Sequence, residues 1–267
     1  FNPRIYLSVN KDRAQSLTNW VKAREKNRGD SIDLHLHFFH DMVQAAGVDP
    51  YNTGGTDFDG NPIPAQKRPI WDNGGANDGY DIPASSFRYS EINKILELSL
   101  ARFAENSLPL PKGFRSGGWF LDIDNLHSIE DSGFLYDSSG RQSYTWGRNK
   151  LKGEWNLQPT TQPYKPSLAD QNSSTAPTFN LWEFPNNGAD SYTFTSEQMI
   201  SKFNANLGNS ILNDKKIVTF LSHPHWFNID DPKLVELYDF ISNFTYSSDK
   251  GPVKFITLDE AYKIWTK

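Results

Sequence analysis

Cysteine is absent from this sequence of 267 residues, and that absence removes several kinds of chemistry at once. Without thiols the chain has no disulfide bonds, no thiolate nucleophile and no cysteine-ligated zinc site. Long apolar runs are also missing, because no stretch approaches the roughly 18 residues that a membrane helix requires. A net charge of -5 and a pI near 5.7 disfavour binding to the phosphate backbone of nucleic acids. We therefore expect neither a nucleic-acid partner nor a membrane span.

Aromatic residues, by contrast, are abundant: they form 14% of the chain and include 8 Trp and 11 Tyr. Hydrophobic residues make up only 37%, but large aromatic side chains bury enough surface to build a core. Many Asn, Gly and Ser residues, together with the absence of cysteine, are typical of an exported bacterial protein that meets carbohydrate. The composition thus favours an extracellular or cell-surface location and a carbohydrate substrate.

Strand-like and helix-like segments alternate along the chain. Strands are predicted at 4–9, 31–38, 113–120, 134–136, 179–184, 216–222 and 253–258, and helices at 13–26, 90–104, 122–131, 195–206 and 231–243. The first of these helices has Leu17 and Trp20 on its apolar face. The alternation predicts an α/β fold with a mainly parallel sheet or barrel in one domain spanning 1–267. Two long segments, 43–86 and 138–177, are rich in Gly, Pro, Asn and Asp, and we expect them to be functional loop insertions.

Three of the six histidines fall within nine residues, in the stretch DLHLHFFHD at 33–41. In a strand, residues two apart share a side, so Asp33, His35 and His37 line one face. His40 follows where the strand gives way to a loop. Enzymes with parallel sheets place their sites at the carboxyl ends of strands, and imidazole is a common zinc ligand. We therefore predict that His35, His37 and His40 hold a divalent metal, with zinc as the expected ion.

A second cluster repeats this pattern in VTFLSHPHWF at 218–227. An apolar strand there ends in His223, Pro224, His225 and Trp226, so its histidines again lie at a carboxyl end. Five of the six histidines thus come from two strand ends of the same polarity. Because such ends meet at one edge of a parallel sheet, we expect both clusters to converge on one site.

A third stretch, FRSGGWFLDIDNLHSIEDSGFLYDSS at 114–139, joins an arginine and two glycines to a helix and a strand-like segment. Together with the two histidine clusters, it resembles the polysaccharide deacetylase family, also called the NodB-homology domain. The most specific match is GFLYDSS at 133–139, while Arg115 begins a small turn as in the family's third motif. LWEFP at 181–185 resembles the strand before the family's last motif. The matches spread over most of the chain, but the two insertions have no counterpart.

The resemblance implies a distorted (β/α) barrel of about seven strands and a metal-dependent hydrolase that removes acetyl groups from a polysaccharide or an amino sugar. In the family, a metal-bound water attacks the carbonyl carbon, a carboxylate takes a proton and a histidine protonates the leaving group. By position, His223 would be that acid, and Arg115 would orient the base. The residues expected to contact the sugar are Trp119, Glu183, His225 and Trp226.

Two departures from the family pattern bear on the site. The histidine spacing is His-x-His-x-x-His rather than His-x-x-x-His, so His35 aligns with the first ligand and the second is either His37 or His40. The family's first motif, a strand ending in two aspartates, has no match. The barrel would then be incomplete, with the missing strand or flanking domains in a longer chain. Asp33 is our candidate for the base within this chain, and the other carboxylates that could replace it are Asp41, Asp122 and Glu183.

Two alternatives to an active deacetylase stay open. An amidohydrolase-like or PHP-like metal hydrolase carries a D-x-H-x-H strand near its N-terminus, which residues 33–37 match. The later Arg-Ser-Gly-Gly and Tyr-Asp-Ser-Ser stretches do not fit that class. The second alternative is a catalytically inactive deacetylase-like module that binds carbohydrate, which the missing aspartate pair favours. Bound metal would separate either enzyme from the inactive module.

Overall fold

The computed structural model describes residues 1–8, 10–71, 82–208, 214–223, 227–245 and 252–267 of this protein. The helices within these ranges are α1 (Ile5–Ser8), α2 (Lys11–Arg28), α3 (His40–Ala45), α4 (Tyr89–Glu105), α5 (Ile123–Asp131), α6 (Ser196–Leu207), α7 (Phe227–Ser242) and α8 (Leu258–Trp265). The strands are β1 (Leu34–Leu36), β2 (Gly113–Ser116), β3 (Tyr136–Asp137), β4 (Thr145–Trp146), β5 (Leu151–Lys152), β6 (Trp182–Glu183), β7 (Ala189–Asp190) and β8 (Phe220–Leu221). The predicted mixture of strands and helices is confirmed, and the fold is α/β.

Four short strands form a parallel sheet in the order β1-β2-β3-β6. The register pairs Leu34 with Phe114, Phe114 with Asp137, and Asp137 with Glu183. A second parallel pair joins β7 to β8, and β4 and β5 form an antiparallel hairpin inside the second insertion. The four carboxyl ends of the first sheet therefore lie along one edge. Closure into a barrel of about seven strands stays a prediction, because the described strands form three separate sheets.

The main core packs against one face of the sheet, so the imidazoles lie on the opposite face. Leu34 and Leu36 are each 1% exposed and share one cluster with Phe114 and with apolar residues of α4 and α5. The buried positions of α4 recur every three or four residues, as expected for an amphipathic helix: Ile92, Ile95, Leu96, Ser99 and Phe103. Because successive side chains of a strand alternate, His35 points to the opposite face of the sheet from its two leucine neighbours.

The prediction of a strand at 4–9 is wrong. Residues 5–8 form α1 instead. Two hydrogen bonds form its first turn: the N–H groups of Tyr6 and Leu7 donate to the carbonyls of Pro3 and Arg4 at 3.1 and 2.8 Å. Proline is compatible with the first turn of a helix, because its missing N–H would have no partner there. The alternation of apolar residues over so few positions did not distinguish a strand from a single helical turn. Val9 lies outside the described residues.

Helix α2 is present as predicted, but a different face is buried. Ala14 and Thr18 are its buried residues, and the Thr18 hydroxyl lies 2.7 Å from the phenol of Tyr6. Leu17 and Trp20 are 40% and 60% exposed. The helix therefore packs through small side chains and leaves its larger apolar residues in solvent.

The remaining elements differ from prediction mainly in their bounds. The strand predicted at 113–120 ends at Ser116, where a 3₁₀ turn follows, and the helix predicted at 231–243 begins earlier, at Phe227. The strand predicted at 253–258 is wrong: the backbone pairing in this described segment is a single parallel bridge between Thr245 and Val253, and Leu258 already begins α8. None of the described helices is long and apolar enough to cross a membrane.

Aromatic side chains anchor the described parts of both insertions to the core. Trp155 in the second insertion is fully buried, and Trp71 in the first is 3% exposed. Gly118 has a positive φ of 66°, and a Cβ at this position would lie only 1.7 Å from the Trp71 ring. A side chain at Gly118 would therefore displace the end of the first insertion from the turn after β2.

Candidate functional site

Serine side chains tie together the carboxyl ends of β2, β3 and β6. The Arg115 guanidinium donates to Ser138, through Nε to the carbonyl at 2.8 Å and through Nη2 to Oγ at 2.6 Å. The Ser138 hydroxyl in turn donates to the carbonyl of Phe184 at 2.8 Å. The backbone N–H of Ser116 donates to Ser139 Oγ at 2.9 Å. The Asp-Ser-Ser sequence thus fixes the position of Arg115 at this edge of the sheet.

His35 and His37 lie side by side at the end of β1. Their ring centroids are 4.9 Å apart, and the rings are nearly perpendicular at 84°. His35 Nδ1 lies 3.0 Å from the carbonyl of Arg115, and because a carbonyl only accepts, Nδ1 carries the proton. Burial, reinforced by the charges of His37 and Arg115, lowers the pKa of His35 well below its usual value. His35 is therefore neutral near pH 7 and keeps its lone pair on Nε2, the state that binds a metal.

The other two predicted participants in this stretch have separate contacts. His40 is the first residue of α3, and its ring lies 5.1 Å from that of Tyr51. Asp33 precedes β1, where its carboxylate accepts from the N–H of Gly113 at 2.8 Å and from the phenol of Tyr136 at 2.6 Å. Asp33 therefore joins the amino ends of three strands, a placement that favours a structural role over that of a base.

The described residues do not assemble the predicted metal site. Nowhere in the described ranges do three or more His, Asp or Glu side chains form a group that could hold a metal ion. The neutral His35 and its neighbour His37 fit the requirement for two imidazole ligands. The three-histidine site that includes His40 stays a prediction.

Asp190 and His223 form a hydrogen-bonded pair at the ends of β7 and β8. His223 Nε2 lies 3.0 Å from Asp190 Oδ2. Asp190 is 1% exposed, and its other carboxylate oxygen accepts from the N–H of Tyr192 at 2.9 Å. The His223 side chain is 28% exposed, and its backbone N–H donates to Asp230 at 3.2 Å. The buried Asp190 carboxylate thus orients the His223 imidazole, which remains partly accessible to solvent.

Asp190 was not predicted from the sequence, because it lies in NNGADSY at 186–192, which has the composition of a loop. One signal was available. The dipeptide Asp137-Ser138 ends β3, and Asp190-Ser191 repeats it at the end of β7. A repeated Asp-Ser after an extended segment would have drawn attention to this position.

The Arg115 guanidinium links the two halves of the site electrostatically. Burial lowers its pKa, while the carboxylates of Asp137 and Asp190 oppose that shift. The same guanidinium contributes to the lowered pKa of His35. Arg115 therefore acts on the imidazole at the end of β1 and on the carboxylate that holds His223.

Glu183 and Asp137 form a fully buried carboxyl pair beneath the second insertion. Glu183 Oε1 accepts from the N–H of Gly140 at 2.8 Å, and Asp137 accepts from the N–H and hydroxyl of Ser139 at 2.9 and 2.8 Å. Burial, and then the adjacent Asp137, raise the pKa of Glu183 well above its usual value. This burial does not support the predicted contact of Glu183 with substrate.

Replacing Glu183 by glutamine is expected to flatten the dependence of stability on pH. A carboxyl group whose pKa is higher in the folded than in the unfolded protein contributes its full stabilisation below the unfolded pKa of 4.5. That contribution is lost as the pH rises through the folded pKa. Wild-type stability should fall by up to about 1.4 kcal/mol per pH unit in this window, whereas the glutamine amide does not ionise. Urea unfolding from pH 4 to 8 measures the slope. The exposed Glu97→Gln on α4 is the control, and equal slopes for wild type and Glu183→Gln would contradict the prediction.

The remaining predicted residues lie in structural roles or outside the described ranges. Trp119 is 4% exposed and packs against other side chains, so its face is not available to a sugar. Asp41 pairs with Arg4 at 2.8 Å. Asp122 precedes α5 and caps its N-terminus, and burial raises the pKa of Asp122 to about 7. His225 and Trp226 lie outside the described residues.

Comparison with known proteins gives little further information. No family model matches the chain, and no curated protein matches it. A crystal structure from Mycobacterium smegmatis, described as that of a "putative polysaccharide deacetylase", shares 16% identity and a TM-score of 0.27 with this chain. The match covers 57% of this chain and 40% of that one, so this chain spans less than half the length of that protein. A similarity at this level does not establish a common activity.

Proposed function

We propose that this chain is a hydrolase that removes acetyl groups from a polysaccharide or an amino sugar. The Asp190–His223 pair carries the proposal, because it places an oriented and partly exposed imidazole at the carboxyl ends of two parallel strands. The sequence resemblance to polysaccharide deacetylases supports the same reaction class. We also propose a single domain over 1–267 whose parallel sheets belong to one distorted barrel, and an extracellular or cell-surface location.

His223 would act as the general acid of this reaction. Cleavage of the bond between the acetyl carbon and nitrogen or oxygen leaves an amine or alkoxide that needs a proton. Because Nε2 faces Asp190, proton transfer to the leaving group would take place at Nδ1. The buried carboxylate of Asp190 stabilises the imidazolium before transfer and fixes the ring orientation. Acetate and the free amine or alcohol are the products.

The residues at the end of β1 would serve a divalent ion, for which we propose zinc. His35 and His37 would hold it, and a third protein ligand is not assembled within the described ranges. When bound, zinc supplies a water of lowered pKa and polarises the acetyl carbonyl. The carbonyl of Arg115 accepts the Nδ1–H of His35 and would thereby leave the Nε2 lone pair available to the ion.

Metal content and acetate release together test this proposal. We expect the wild-type chain to bind zinc and to release acetate from acetylated chito-oligosaccharides. His35→Ala should lose the zinc and lower acetate release by more than about 100-fold. His127→Ala is the matched control, because this histidine lies between Phe58 and Phe179, with ring centroids 3.6 and 4.6 Å away.

Each alternative function predicts a different result in these two measurements. A chain that binds zinc but releases no acetate from these oligosaccharides would indicate another class of metal hydrolase. A chain that neither binds zinc nor releases acetate would indicate an inactive module and would overturn the proposal.

A further inference from the structure

The hairpin of the second insertion places an aromatic side chain beside Tyr192, whose ring neighbours His223. Trp146 lies in β4, and its ring centroid is 6.3 Å from that of Tyr192, with an angle of 58° between the rings. The Tyr192 ring is 6.0 Å from the His223 ring, at 73°. Trp146 and Tyr192 therefore form a continuous wall that leads to the proposed acid.

Both rings of this wall remain accessible. Tyr192 is 43% exposed, and Trp146 is half-buried. Trp119, the tryptophan that the sequence suggested for sugar binding, is instead buried behind Trp146, with a centroid distance of 5.9 Å. The accessible aromatic rings are therefore those of Trp146 and Tyr192, and not that of Trp119 as predicted.

The side chains behind the wall hold it in place. Trp119 contacts the edges of Trp146 and Tyr144 at ring angles of 80° and 75°. The Arg141 guanidinium stacks on Trp119 and Tyr144, with Cζ 4.1 and 4.7 Å from their centroids. Among the described residues, Arg141 Nε and Nη1 have no hydrogen-bond partner, and the guanidinium lies against these two rings instead. Such pre-organised surfaces lose little conformational entropy when a ligand binds.

We propose that Trp146 and Tyr192 form a subsite for one pyranose ring of the carbohydrate chain, next to the acetylated sugar at His223. The inference rests on the proposed function and adds the residues that hold a neighbouring sugar. A pyranose has an apolar face of C–H groups and a polar rim, which suits exposed aromatic rings whose edges reach water. A single N-acetyl sugar at His223 would not span the wall, so the subsite predicts a preference for oligomers.

Oligosaccharide binding tests this subsite separately from catalysis. The probes are tetra-N-acetyl chitotetraose and the fully deacetylated tetramer, titrated calorimetrically into wild type, Trp146→Ala and Tyr192→Ala. We expect each variant to bind both tetramers about tenfold more weakly, while binding of monomeric N-acetylglucosamine changes little. Trp20→Ala is the matched control, because Trp20 is an exposed tryptophan on α2. Thermal unfolding of each variant checks folding, and Trp146→Phe provides a milder change if Trp146→Ala is unstable.

The outcomes distinguish this inference from the proposed function. Weaker tetramer binding in both variants, in a chain that releases no acetate, would support the subsite while the proposed function failed. Acetate release with unchanged tetramer binding in Tyr192→Ala and in a folded Trp146 variant would overturn the subsite alone. A wild-type chain that binds neither tetramer would overturn it as well.

Discussion

Replacing His223 by alanine is expected to lower kcat/KM for acetate release by about 10²- to 10⁴-fold, the usual contribution of a general acid. The imidazole is partly exposed, so its removal should disturb packing little, and the loss should come from the uncompensated charge on the leaving group. Free imidazole added to the assay should restore part of the activity of His223→Ala. Initial rates of acetate release with and without imidazole measure both effects.

Asp190 is a positioning residue in this scheme, because it contacts His223 and not the substrate. Asp190→Asn keeps an acceptor for the N–H of Tyr192, but it replaces the negative charge beside the imidazole. We expect kcat to fall by about 100-fold, with a much smaller change in KM. A purely structural role would instead lower the melting temperature and leave kcat nearly unchanged in the folded fraction.

The exposed Ser222→Ala is the control for both variants, because it lies one residue before His223 and has no part in the proposed chemistry. Undiminished kcat/KM in His223→Ala would remove the Asp190–His223 pair from the mechanism.

Local pattern was sufficient for α4 and for the two faces of β1. α4 was predictable because its buried residues recur at helical spacing, and that spacing alone determines which face is apolar. Leu34 and Leu36 alternate with His35, which placed the imidazoles opposite the core before any tertiary contact was known. The carboxyl end of β8 was also correctly identified as the position of His223.

Contacts between distant segments were not predictable from pattern. Asp190 precedes His223 by 33 residues, and their contact depends on the pairing of β7 with β8. Glu183 follows the apolar-strand pattern of LWEFP, but its burial depends on Gly140 of an insertion with no recognisable motif. Trp119 was predicted to face a sugar because nothing in its own stretch indicates that Trp146 covers it. Whether an insertion buries a given side chain depends on tertiary contacts, which cannot be predicted from the composition of the insertion.

Replacing Arg68 by alanine is expected to lower the free energy of unfolding by about 3–5 kcal/mol. Arg68 Nη2 lies 2.6 Å from Glu91 Oε1, and the two side chains are only 1% and 7% exposed. The guanidinium also donates to the carbonyls of Asp49 and Ser86 and stacks on Phe87, with Cζ 4.0 Å from the ring centroid. Among the described residues, its loss removes the only charged partner shown for the buried Glu91 carboxylate, which keeps the N–H groups of Gly54 and Arg88 as donors. It also removes the guanidinium donor from two backbone carbonyls.

Arg102→Ala provides a matched control for this effect. Arg102 Nη1 also lies 2.6 Å from a carboxylate, that of Glu105, but the side chains are 31% and 54% exposed. Water solvates the remaining charge there, so we expect a loss of about 0–1 kcal/mol. Urea unfolding of both variants, together with Glu91→Gln and the double variant Arg68→Ala/Glu91→Gln, completes a cycle that isolates the coupling between the buried partners. Because distance is equal in the two pairs, a similar loss in Arg68→Ala and Arg102→Ala would show that burial does not determine the strength of the Arg68–Glu91 contact. A recovery of stability in the double variant would show that the single substitution destabilises mainly through the carboxylate left unpaired.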